Sequence, residues 1–156
     1  MKKIAAAALS SVLLLSAFSA SAAPAKSEKQ AAQAVEFRQS IFTLIKSNVG
    51  ALGAMNKGAI PFDAETLKTN GMRLEQLSLM IEDYLETDTS NFKVKTHAVD
   101  KIWQNKADFS SKISDLTEAA VNLQAVAKSG DESQYKSAIG GVFKTCKGCH
   151  DKYKED

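Results

Sequence analysis

Cys146-Lys147-Gly148-Cys149-His150 closes a stretch, Glu132 to about Tyr153, in which Tyr135, Ile139, Val142 and Phe143 recur at helical spacing. On a helix Cys146, Cys149 and His150 stand at i, i+3 and i+4, one above another on the same face. Two thiols followed directly by an imidazole form the attachment pattern of a c-type haem. The thiols add across the two vinyl groups of the porphyrin, and the imidazole of His150 becomes an axial ligand of the iron. One such motif predicts one covalently attached haem c, hung from the last turns of this helix.

Other uses of these residues fit less well. A dithiol redox pair of the thioredoxin kind sits near a βαβ pattern, which the chain lacks. A structural zinc site needs four ligands, and beyond the motif the sequence offers His97 and no further cysteine. A disulfide between Cys146 and Cys149 would close a very short loop and leave His150 without a role.

The start of the chain agrees with this. Met1-Lys2-Lys3 is a basic n-region, Ile4 to Phe18 is apolar, and Ala20-Ser21-Ala22 is a small-residue cleavage site. Residues 1–22 read as a secretory signal peptide and 23–156 as one domain. The apolar run is about 15 residues, short of the roughly 20 needed to span a bilayer, so no membrane insertion is expected. A short lysine-rich n-region points to the bacterial periplasm, an oxidising compartment in which two bare thiols would tend to pair.

Of the 20 basic residues, Lys2 and Lys3 leave with the leader, and the 18 that remain balance the 18 acidic ones. No basic stripe marks a nucleic-acid binder. Lys93 and Lys95 read as solvated surface.

The body of the chain reads as four helices. Val35, Phe37, Ile41, Phe42, Leu44, Ile45, Val49 and Leu52 give an amphipathic helix from Ser27 to about Met55, broken by Gly58 and Pro61. Asp63 is a natural N-cap for a second helix, about Ala64 to Leu85, with Leu67, Leu74, Leu77, Ile81, Tyr84 and Leu85 inside and Gly71 tolerated within it. Glu86 to about Asp100 is a polar connection. A third helix begins near Asp100 and carries Trp103, Phe109, Ile113, Leu116, Ala120, Leu123 and Ala127 before Ser129-Gly130-Asp131 ends it. The fourth runs from Glu132. No stretch alternates as a half-buried strand, so the fold class is all-α, an antiparallel up-down-up-down four-helix bundle with covalently attached haem.

One haem motif supplies one axial ligand, so the opposite face decides the chemistry. His97 lies in the loop and reads as solvent-facing, and Met55, Met72 and Met80 read as core or surface residues.

The chain resembles the cytochrome c′ family over the whole of residues 23–156. The resemblance is carried by Phe37-Arg38-Gln39-Ser40, by Lys57-Gly58 with Ile60-Pro61-Phe62-Asp63-Ala64, by Ile102-Trp103 with Phe109, and by the run from Cys146 to Tyr153. It implies a five-coordinate haem with His150 on one side and an apolar side chain from the first helix, here Phe42, over the other. Arg38, four residues earlier on the same side of that helix, is implied to hold a propionate. Family members often carry leucine where this chain has the larger Phe42, and some carry arginine where it has Lys154. Low-spin relatives use methionine in the place of Phe42. Relatives commonly form homodimers through their first two helices, which the apolar first helix permits here.

The function expected from this is binding of small diatomic gases, nitric oxide and carbon monoxide, with dioxygen disfavoured by a distal face that offers no hydrogen-bond donor. Buffering of, or protection against, nitric oxide is the implied role. The alternative is an electron carrier cycling Fe(III) and Fe(II) between redox protein partners. No enzyme activity is expected, because a peroxidase-like site needs distal acid–base groups that the sequence does not present.

Overall fold

The computed structural model describes residues 22–155. The leader expected over residues 1–22 lies outside them but for Ala22. Four long helices, α1 (Glu28–Asn56), α2 (Ala64–Leu79), α4 (Lys106–Ser129) and α5 (Tyr135–Tyr153), form the bundle, and a single turn, α3 (Lys101–Gln104), precedes α4. Each long helix packs on two others, α1 on α2 and α5, and α4 on α2 and α5. Among the described residues no helix is long and apolar enough to cross a membrane.

Burial follows steps of three and four, the spacing that keeps one seam facing its neighbours. Phe109, Ile113, Leu116, Ala120, Leu123 and Ala127 form that seam on α4, and Leu67, Gly71, Leu74 and Ser78 on α2. On α1 the buried set is Ala31, Val35, Arg38, Ile41, Ile45, Leu52 and Met55. Phe37, Phe42 and Leu44, read from the sequence as part of the apolar stripe, stand 48%, 41% and 53% exposed. A stripe that wide cannot all face inward, and the seam instead includes the charged Arg38.

Asp63 caps α2 as the sequence predicts, and Ser27 caps α1. Ser27 accepts from the Gln30 N–H and Asp63 from the Thr66 N–H, satisfying first-turn donors. Gly130, at φ +72°, ends α4 in the left-handed conformation that glycine adopts without strain. Polar links hold α2 against α4: Gln124 Nε2 donates to Glu75 Oε2 at 2.6 Å, and the Ser78 and Thr117 hydroxyls bond at 2.8 Å.

Two boundaries differ from the sequence expectation. The second helix stops at Leu79, where the Met80 and Ile81 N–H groups bond three residues back and tighten the chain into a 3₁₀ turn at Asp83–Leu85. The Leu85 carbonyl then accepts from Trp103 Nε1 at 3.0 Å in place of a helical donor. The third helix breaks at Asn105, with φ −132° and ψ 54°, so that only the turn α3 carries Trp103. Asparagine is readily accommodated outside helical geometry, and the break leaves Trp103 free to bond Leu85.

The long connection is held at both ends. Ala23–Pro24 pairs in parallel with Thr87–Asp88, and Ala98 bridges to Lys154 beyond the end of α5. These short pairings fix the loop that supplies Thr89 to the site.

Candidate functional site

The buried residues of α5 are Tyr135, Ala138, Ile139, Val142 and Tyr153. Cys146 and Cys149 continue that stripe at the same spacing, so the helix directs both thiols inward, where they pack on the hydrophobic core. Both are free and half-buried. Burial raises the pKa of each; for Cys149, pushed up to about 11, the charge of Cys146 adds to the effect. His150 is one residue, about 100°, further round the helix and lies exposed at the rim. Partial desolvation, and then the charge of Lys154, lower its pKa, which favours the neutral imidazole that a metal requires. The three motif residues thus share one side of α5, with the thiols inside and the imidazole at the edge.

Arg38 is 3% exposed and lies within the core seam of α1. Its Nη2 donates to Thr89 Oγ1 at 2.7 Å, and its guanidinium lies 5.2 Å from the centroid of the Trp103 ring. Nε and Nη1 are buried without a partner. Burial lowers the Arg38 pKa, and the charge of Asp88 works in the opposite direction. Two unpaired donors on a buried cation are costly unless an anion meets them. A carboxylate such as a haem propionate accepts from such a fork in parallel.

Gly53 of α1 meets Phe143 of α5, where an added Cβ would lie 3.4 Å from the Phe143 ring. From that crossing the antiparallel helices carry Arg38 and Phe42 of α1 and the Cys146–His150 motif of α5 to the same end of the bundle. Phe42 stands one turn after Arg38 at the edge of the buried seam. Met55 is buried at the other end of α1, while Met72 and Met80 are 50% and 39% exposed on the α2 side. His97 is exposed, and its carbonyl accepts from the Glu155 N–H at 2.8 Å. Among the described residues, His, Cys, Asp and Glu nowhere gather into a group of three that could hold a bare metal ion, which disfavours the zinc reading.

Thr89 and Trp103, which hold Arg38, were not singled out for the site by sequence reasoning. Thr89 stands in a polar run with nothing to mark it, and its bond to Arg38 spans 51 residues. Trp103 was legible as a core residue and as part of the family resemblance, without a role at the site.

A model of the cytochrome c′ family matches residues 33–154. The chain belongs to the cytochrome c′ family. Cytochrome c′ of Rubrivivax gelatinosus is 37% identical over 122 residues, which cover 78% of this chain and 94% of that one. Among solved structures, cytochrome c prime from Shewanella frigidimarina is 42% identical with a TM-score of 0.72, covering 81% of this chain and 97% of its own. A mutant of cytochrome c prime from Alcaligenes xylosoxidans, solved as a nitric oxide complex, is 32% identical with a TM-score of 0.69 and covers 81% and 96%. The four-helix bundle and the covalently bound haem c of the family therefore apply to this chain, and its two cysteines fit that cofactor.

Proposed function

We propose that this cytochrome c′ binds small diatomic gases, nitric oxide and carbon monoxide foremost, at a haem joined to Cys146 and Cys149, with His150 as axial ligand. Bound there, the haem supplies an iron that changes between ferric and ferrous states and takes a small ligand on its open side. Arg38, itself held by Thr89 and Trp103, would hold a propionate through its unpartnered donors, and Phe42 would cover the side of the haem away from His150.

The observation that carries this reading is the pair of unpartnered Arg38 donors one turn before an apolar, partly exposed Phe42. Phe42 has no lone pair for the iron and no hydrogen-bond donor for a polarised dioxygen. Nitric oxide and carbon monoxide need no such donor, and the nitric oxide complex of a mutant of the Alcaligenes xylosoxidans relative supports the same ligand class here. Buffering of, or protection against, nitric oxide in the periplasm, after removal of residues 1–22, is the role this chemistry serves. A binding protein rather than an enzyme is the role that fits Phe42, which has no group to give or take a proton over the iron. Leu44 on α1 and Met72 and Leu79 on α2, 53%, 50% and 58% exposed, are the apolar side chains through which a homodimer would form.

Absorption spectra of the ferric and dithionite-reduced protein, taken before and after separate additions of nitric oxide, carbon monoxide and dioxygen, test this. Broad high-spin bands that shift with nitric oxide and carbon monoxide are expected. Sharp low-spin bands that no gas moves would reveal a sixth protein ligand and make the protein an electron carrier between redox partners.

A further inference from the structure

The last turn of α5, which follows His150 directly, is held from two sides. On one side the loop supplies backbone bonds: the Val99 N–H donates to the Tyr153 carbonyl at 3.3 Å and the Glu155 N–H to the His97 carbonyl at 2.8 Å. On the other side a single carboxylate on the first turn of α4, Asp108, takes two donors from α5. Lys152 Nζ lies 2.8 Å from its Oδ2, and the Tyr153 hydroxyl donates to the same oxygen. Tyr153 is 3% exposed, and its ring meets Phe109 edge-on with centroids 5.1 Å apart.

This arrangement is more than a surface ion pair. The side chains of Lys152 and Asp108 are only 35% and 33% exposed, so solvent screens them incompletely. Both donors stand on the turn that follows His150, so the carboxylate lies against that turn of α5. Asp108, Lys112, Asp151, Lys152 and Lys154 are among the charged groups of this part of the molecule.

We propose that Asp108 is a positioning residue for the haem: it locks the final turn of α5 against α4 and places a fixed negative charge at the turn that follows His150, which holds the reduction potential down. A negative charge near the iron favours the more positive ferric state, so its removal raises the potential. This inference rests on the reading of Cys149 as a haem attachment and His150 as the iron ligand.

Breaking the pair from each side separates charge from mechanical restraint. In the holoprotein, Asp108→Asn removes the negative charge and Lys152→Met the positive one, and both destroy the same ion pair. The charge role predicts opposite shifts, upward for Asp108→Asn and downward for Lys152→Met, with haem content and helical circular dichroism unchanged. Shifts of the same sign, or no shift in either variant, overturn the proposal. Should Asp108→Asn fail to fold, the direction seen in Lys152→Met decides alone, a rise or no change being against the proposal. His150→Ala serves as the control for the underlying reading. If it keeps the wild-type spectrum, the ligand assignment fails, and Asp108 loses its role with it.

Discussion

Arg38 and Thr89 are joined across 51 residues by a 2.7 Å hydrogen bond, and this bond is the only one that the described structure gives to the buried Arg38 side chain. A guanidinium in the apolar seam of α1 is tolerable only if its fork is pre-aimed, and Thr89 aims it from one side while Trp103 stacks on its face. Thr89→Val keeps the shape of the side chain and removes the acceptor, leaving the buried Nη2 of Arg38 unmet. Loss of about 1–3 kcal/mol is expected in urea unfolding of the holoprotein. Thr89→Ser keeps the hydroxyl and should stay within about 1 kcal/mol of wild type. Equal losses in the two variants would show that the methyl group and not the hydroxyl matters.

Gly71 lets α2 approach α4 closely. A Cβ there would stand 2.8 Å from Gln124 Cγ and 3.1 Å from the Ala120 carbonyl oxygen, and the latter is backbone and cannot swing aside. Alanine gains about 1 kcal/mol in helix propensity over glycine, whereas forcing atoms into a packed interface costs about 1–3 kcal/mol. Gly71→Ala should therefore be destabilising on balance. Gly50, inside α1 with nothing within 4 Å of an added Cβ, is the matched control. Gly50→Ala should stabilise by up to about 1 kcal/mol. Thermal or urea midpoints of the two variants moving in the same direction would refute the close-approach argument.

The contrast between these glycines marks what the sequence could reveal. Helical periodicity placed α1 and α5 within a few residues of their observed limits, because a steady three-and-four spacing is a local signal. The motif at Cys146–His150 was legible for the same reason. Arg38 was picked out through the family resemblance, but its depth was not foreseen, because a charged residue between apolar neighbours gives no local sign of being inside. Phe37 and Leu44 were counted with the core for the converse reason. Asn105 broke the third helix, and the tightening after Leu79 shortened the second, through bonds to Leu85 and Trp103 that join distant segments. Gly71 carried only its propensity cost in the sequence, since the closeness of α4 is a tertiary fact.

Phe42 offers a direct test of the gas site. Phe42 lies outside the buried seam of α1, so truncation should disturb the packing between helices little. Phe42→Ala should accelerate carbon monoxide association with the ferrous protein and tighten its binding, since the ligand no longer has to displace a ring. Stopped-flow mixing with carbon monoxide measures both. Unchanged rates, with the haem attached as in wild type, would place the barrier elsewhere.

Tyr153 should make the protein sensitive to alkali in a defined window. Burial first, and then its hydrogen bond to Asp108, push its pKa up from 10 to about 12. The folded state therefore keeps the phenolic proton over an interval in which the unfolded chain has released it. With more protons bound in the folded state, stability falls as pH rises, by up to about 1.4 kcal/mol per pH unit. The loss begins near the unfolded value of 10 and continues until the folded group itself ionises near 12. Tyr153→Phe has no proton to lose and should show a shallower decline over the same range. Urea unfolding of the two proteins at stepped alkaline pH, with phenolate absorbance followed as a difference between them, checks both the window and its cause. Parallel declines in wild type and Tyr153→Phe would assign the alkaline loss to another group and leave the Tyr153–Asp108 bond without a part in it.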